Sequence, residues 1–236
     1  MAKPKNQREF SVLSISLGVG FATGLYGISF GALSVSAGLD IVQTQVLSLL
    51  MFSGGSQFAF IGVIAAAGVG GIGVGAAVVS AWLLGIRNGF YALRMAPLLK
   101  PLGLGKLIPA LLTIDESTAV ATAQKEIADQ KKGFWLTGAA VFVFWNLMTF
   151  IGAVLGDALG DPKNFGLDAA AAAAFLGLIW PRLMERQTFA VAALAILIAT
   201  FTTPYLPAGV PVLVAGLSSV IFGLFNWLKP KEQVIK

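Results

Sequence analysis

Residues 10–38 read FSVLSISLGVGFATGLYGISFGALSVSAG, and no charged side chain interrupts them. A helix needs about 20 apolar residues to cross the hydrocarbon core of a bilayer, and this run exceeds that. Six further long, nearly charge-free runs follow at 41–68, 71–98, 134–158, 166–183, 187–203 and 208–227. Each is continuously apolar, unlike the strands of an outer-membrane barrel, which alternate apolar and polar over about ten residues. In hydrocarbon, a continuous run can satisfy its own backbone only as a helix. The sequence therefore predicts an all-α, polytopic transmembrane bundle of about seven membrane segments.

Composition agrees with this reading. Charged residues make up 11% of the 236-residue chain and hydrophobic ones 57%, whereas a soluble domain carries about a quarter charged residues. Residues 1–236 read as a single integral membrane domain, with 99–133 as a polar internal loop region. The first run is far longer than the apolar core of a signal peptide, about 7–15 residues, so no cleaved leader is expected.

A net charge of +5 would suggest nucleic acid in a soluble protein. In a membrane protein it reflects Lys and Arg held in cytoplasmic loops, so no nucleic-acid partner is expected. Lys3, Lys5 and Arg8 precede the first run, Lys131 and Lys132 the fourth, and Lys229 and Lys231 follow the last. This bias puts the N-terminus, residues 125–132, Arg182 to Arg186 and the C-terminus in the cytoplasm. It puts Asp40, Asp157 to Asp161 and Pro204 to Pro207 outside. Three full crossings before residue 100 would leave Lys125 to Lys132 on the wrong side. The conflict disappears if the second segment re-enters or if 107–123 also crosses, which gives six to eight spans.

Cysteine and histidine are both absent. That removes disulfides, thiol nucleophiles, the commonest metal ligand and the usual general base together. Gly103-Leu104-Gly105-Lys106 lacks the spacing and the Ser or Thr of a phosphate-binding loop. No metal, cofactor or enzymatic chemistry is expected.

Glycines and isolated charges remain. Gly20, Gly24, Gly27 and Gly31 share one helical face, and the spacing returns at Gly152, Gly156, Gly160 and at Gly71, Gly75. Such faces let helices approach closely, or they line a path. Ser53-Gly54-Gly55-Ser56-Gln57 interrupts the second run, and paired glycines weaken a helix by about 1 kcal/mol each. A broken helix near residues 53–57 follows, tolerated at membrane depth only in protein or beside a wet cavity. Gly38-Leu39-Asp40 recurs as Gly166-Leu167-Asp168; repeated halves are common in secondary transporters, but three residues are too few to establish one and chance accounts for them equally well.

Arg87 lies well inside the third run, where a charge costs about 2.5–3.5 kcal/mol. It either snorkels to the surface with Arg94 and Lys100 or, with Asn88 beside it, grips a carboxylate by paired hydrogen bonds. Asp115-Glu116 reads as a proton or cation relay, or as the acidic first turn of a loop helix. Trp145, Asn146 and Thr149 lie on one turn and either line a pathway or bond to a neighbouring helix.

Taken in order, these motifs resemble the AzlC family of branched-chain amino acid permeases. The likeness rests on Gly27-Ile28-Ser29-Phe30-Gly31, on SLLMFSGGSQFA from Ser48, and on Arg87 with Tyr91-Ala92-Leu93. It continues through LTIDESTAVA around Asp115-Glu116, Trp145-Asn146 with Thr149 and Gly152, and Gly166-Leu167-Asp168 leading into Phe175 and Pro181. The third span departs from the family pattern of Asn, any residue, Arg-His, because it reads Gly85-Ile86-Arg87-Asn88. The resemblance implies a bacterial inner-membrane exporter of branched-chain or other hydrophobic amino acids, working with a small AzlD-type membrane protein. The expected mechanism is alternating access. Ser53 to Gln57, Arg87, Asn88, Trp145, Asn146 and Thr149 would take the substrate, and Asp115 or Glu116 would couple transport to an ion gradient. The rival expectation is a structural or regulatory membrane subunit that transports nothing alone.

Overall fold

The computed structural model describes residues 5–68, 71–159, 176–177, 179–206 and 210–225. Every element among them is helical. In chain order they are α1 (Lys5–Ser36), α2 (Ile41–Leu50), α3 (Gly54–Ala67), α4 (Gly71–Leu99), α5 (Leu107–Leu112) and α6 (Asp115–Ala123). Then come α7 (Ile127–Leu159), α8 (Arg186–Thr202) and α9 (Val210–Phe225), with 3-10 turns at Gly103–Lys106 and Trp180–Met184. Gly160, Asp161, Gly166-Leu167-Asp168 and most of the run 166–183 lie outside the described residues. Among the described residues, three stretches are long and apolar enough to cross a membrane: Ser11–Ser36, Gly73–Leu99 and Ile127–Ala158. The other apolar helices are shorter.

α1 and α7 form the central pair, joined along the glycine face. A β-carbon on Gly20 would stand 2.6 Å from Ala140 Cβ, on Gly24 2.5 Å from Phe144 Cβ, and on Gly27 2.6 Å from Trp145 O. One on Gly31 would strike the carbonyl of Thr149, and one on Gly152 that of Ile28. Backbone thus meets backbone, as small residues at a helix crossing allow. Gly75 differs from this set, since its face is open. Contact partners rise together along both helices, and Ser16 accepts a hydrogen bond from Thr137 Oγ1 at 2.9 Å further back. The two helices therefore run parallel. Between Ser36 and Ile127 the chain must make one net return through the bundle.

Residues 41–68 do not supply that return. Gln57 Nε2 donates to Ser48 O at 3.3 Å, so α2 and α3 approach each other across the break at Met51-Phe52-Ser53 and splay apart beyond it. Asp40 caps α2 by accepting from Gln43 N–H at 2.7 Å. Leu39, just past α1, packs in one apolar cluster with Val63 and Ile64 of late α3 and Ala76 and Ala77 of early α4. The hairpin thus starts and finishes at the end where α1 finishes. At about 1.5 Å per residue, α2 reaches roughly 15 Å inward and α3 about 21 Å back. Re-entry of this segment is one of the two resolutions that the charge bias leaves open, and the segment turns back. Its tip is level with the middle of α7, where Phe52 meets Phe142 with ring centroids 5.0 Å apart.

α4 makes the crossing, antiparallel to α3. A β-carbon on Gly85 would stand 3.4 Å from Ser56 Oγ, and Ala67 abuts Gly73 beside the turn. Residues 99–133, read from sequence as a polar loop region, are largely helical. α5 climbs until Leu112 meets Gly138, and α6 descends again until Val120 and Ala121 meet Gly133. Thr113 donates to Pro109 O at 2.6 Å and Ser117 to Leu112 O at 2.6 Å, which satisfies the broken backbone between the two helices. A second short hairpin therefore enters from the opposite end. Phe52 and Ile114, one at each break, share a core with Phe58, Met95, Phe134 and Trp145.

Candidate functional site

Where the two hairpins meet, two helices begin: α3 at Gly54 and α6 at Asp115. The first N–H groups of a helix have no partner within it and carry a partial positive charge. Ser53 precedes α3 in extended conformation (φ −159°, ψ 93°), yet its side chain does not cap the helix. Its hydroxyl lies 3.1 Å from that of Ser56 instead. The N–H groups of Gly54, Gly55 and Ser56 are therefore left without a side-chain cap. The acidic pair Asp115 and Glu116 occupies the first turn of α6 and complements its dipole.

Arg87 of α4 reaches into the gap. Its Nη1 lies 3.0 Å from Asp115 Oδ2. On its other side, a β-carbon on Gly55 would stand 2.9 Å from Nη2. One guanidinium thus touches the first turns of both half-helices. Two glycines make this possible, because a side chain at Gly55 would push the guanidinium away and one at Gly54 would meet the Trp145 ring at 3.0 Å. Arg87 is 33% exposed and Asp115 31%. Glu116 is also half-buried.

Trp145 closes one wall. It is buried between Phe30, stacked at 6.2 Å, and Phe58, edge-on at 6.3 Å. Its indole N–H has no hydrogen-bond partner. Neither do Arg87 Nε, Asn88 Oδ1, Gln57 Oε1 or Thr118 Oγ1. A buried polar atom without a partner costs about 1–3 kcal/mol, so five on the helices around one ion pair require explanation. The remaining expected residues are engaged in packing contacts. Asn146 Nδ2 donates to Phe142 O at 2.8 Å and its own carbonyl accepts from Gln45 Nε2 at 3.3 Å. Thr149 Oγ1 accepts from Ser48 Oγ at 3.4 Å.

Of the residues expected from sequence, Ser53 to Gln57, Arg87, Trp145 and Asp115 thus converge, with Asn88 and Glu116 alongside. Asn146 and Thr149 join α7 to α2 one turn further along. Sequence reading passed over Thr44, Gln45 and Ser48, buried or half-buried polar side chains of α2, and Thr118 of α6. Thr44 and Ser48, four apart in an otherwise apolar run, were the available signal.

These features define a class: a multi-pass helical membrane protein with a charged, polar centre enclosed between two half-helices, the kind of arrangement found where solute is moved. The chain belongs to the AzlC protein family, whose match extends over residues 18–159. It is accordingly a transport-related membrane protein of a family associated with transport rather than enzymatic chemistry. No curated protein and no solved structure matches it.

Proposed function

We propose that this protein exports branched-chain or similar hydrophobic amino acids across the bacterial inner membrane, and that the substrate binds where the two hairpins meet. One observation carries the reading: a guanidinium shared between the uncapped first turn of α3 and the carboxylate of α6. Two helix N-termini and a guanidinium together favour an anion, and a guanidinium grips a carboxylate with two parallel bonds. The substrate carboxylate sits on Arg87 and the α3 amides, and its ammonium faces the acidic turn of α6. The apolar side chain lies against Phe30, Phe58 and Trp145. Asp115 is committed to Arg87, so Glu116, half-buried beside it, is the group that couples transport to an ion gradient. Alternating access follows from movement of one hairpin against the other.

The substrate class, the direction of transport and a small AzlD-type membrane partner are part of this proposal and are what the resemblance to the AzlC family implies. The glycine face of α1 and α7, which would suit a scaffolding subunit, is already used within the chain, whereas the face at Gly75 is open. The test is accumulation of amino acids outside cells overproducing this chain, alone and with the small partner. Arg87→Ala should lower efflux of the exported amino acid at least about tenfold, the scale of one lost charge-assisted contact. Unchanged efflux would remove Arg87 from the site.

A further inference from the structure

We infer that Asp115 makes the site demand an ammonium, so that an amino acid is accepted and the same molecule lacking its amino group is refused. This rests on the reading that Arg87 receives the substrate carboxylate, and it assigns the selectivity to one neighbouring residue. Arg87 already holds one carboxylate, with Nη1 3.0 Å from Asp115 Oδ2. Its Nη2 lies against the first turn of α3 at Gly55 and takes no part in that ion pair, so a substrate carboxylate would have to reach it there. A bound substrate therefore places two anions around one cation, whether it shares the guanidinium with Asp115 or displaces it.

Among the described residues, the helices that hold the pair offer no second cation close to it. α3 and α6 contain no Lys or Arg. On α4, Arg94 lies two turns beyond Arg87 and is exposed, and Lys131 and Lys132 are exposed at the start of α7. Glu116 adds a further acidic side chain in the same turn as Asp115. Charges brought together inside a protein repel far more strongly than in water. An α-amino acid brings its own ammonium one carbon away from its carboxylate and so offsets Asp115. A plain carboxylate of the same shape leaves Asp115 unpaired, and refusing it in this way is specificity by repulsion.

The experiment compares L-leucine with isocaproate, which is leucine without its amino group, by calorimetry on the purified full chain. The native protein should bind leucine at least about tenfold more tightly than isocaproate, the scale expected for one partly exposed charge pair. In Asp115→Asn the two ligands should come within about threefold, with isocaproate binding more tightly than it does to the native protein. Asp115→Ala should behave alike, which covers the case that the amide variant does not fold. Adding Arg87→Gln to either variant should abolish isocaproate binding, and Glu116→Gln alone should keep the preference for leucine. If the native protein binds neither ligand, the reading of the site itself fails. If it prefers leucine and the Asp115 variants keep that preference undiminished, or if leucine weakens without isocaproate gaining, the assignment to Asp115 is overturned. Relaxation in Glu116→Gln instead would move the role to its neighbour.

Discussion

At the scale of single residues, the fold depends on what glycine lacks. Gly31 faces the backbone of Thr149, Gly152 and Ala153 with no side chain that could rotate aside, so an added methyl can be relieved only by separating α1 from α7. Gly18, on the same helix, has open space around its α-carbon. Overpacking of this kind costs about 1–3 kcal/mol. Gly31→Ala should therefore lower the thermal midpoint of the detergent-solubilised protein by several degrees, whereas Gly18→Ala should leave it nearly unchanged. Equal midpoints for the two variants would mean that the α1–α7 crossing is looser than its contacts indicate. Gly55 has a different function. There the nearest atom is the end of the Arg87 side chain, 2.9 Å away, which can move. Gly55→Ala should thus cost little stability and reduce efflux about as much as Arg87→Ala does, because the guanidinium is displaced from the α3 amides. A stable variant with full efflux would detach Arg87 from α3 in function.

At the scale of elements, the decisive question is which segments cross and which turn back. The hairpin α2–α3 places Asp40 and Ala66 at the same end of the bundle, whereas a broken span would put them at opposite ends. The chain has no cysteine, so Asp40→Cys and Ala66→Cys each carry one reporter. A membrane-impermeant maleimide added to sealed cells should label both or neither; labelling of only one would restore the crossing. The break itself was legible in the sequence, because Ser53-Gly54-Gly55-Ser56 interrupts an apolar run. The turning back was legible only as one of two ways out of the charge conflict. Hydropathy counts apolar residues, and 41–68 is as apolar as a segment that crosses. Only the meeting of Leu39 with Val63, Ile64, Ala76 and Ala77 reveals it. Residues 107–123 were ambiguous for the converse reason. The acidic pair marks a polar segment, but its depth is set by Leu112 against Gly138 and by the Arg87–Asp115 pair, both contacts distant in sequence. The glycine face of α1, in contrast, was fully visible as spacing, since a packing face is a local property of one helix.

At the scale of the whole molecule, the parallel course of α1 and α7 constrains the position of every charge. Parallel helices begin on the same side, so Arg8 and Lys125 to Lys132 must share a compartment, and Asp40 must lie opposite. The sequence posed this as a conflict: basic residues retained in the cytoplasm required residue 125 to return to the side of the N-terminus, yet three crossings before residue 100 forbade it. With α2–α3 turning back, α4 alone returns the chain, and α5–α6 then dips in and out from the basic side. The same arrangement brings the two half-helix starts together from opposite ends, where Arg87 can touch both. Charge distribution and site geometry thus depend on one topological fact. The prediction for the intact protein follows from it. Lys131→Cys and Arg8→Cys should both resist an impermeant maleimide in sealed cells and react in inverted vesicles, while Asp40→Cys should behave in the opposite way. If Arg8→Cys and Lys131→Cys reacted from different sides, α1 and α7 could not run parallel, and the meeting of the two hairpins at Arg87 would have no route through the membrane.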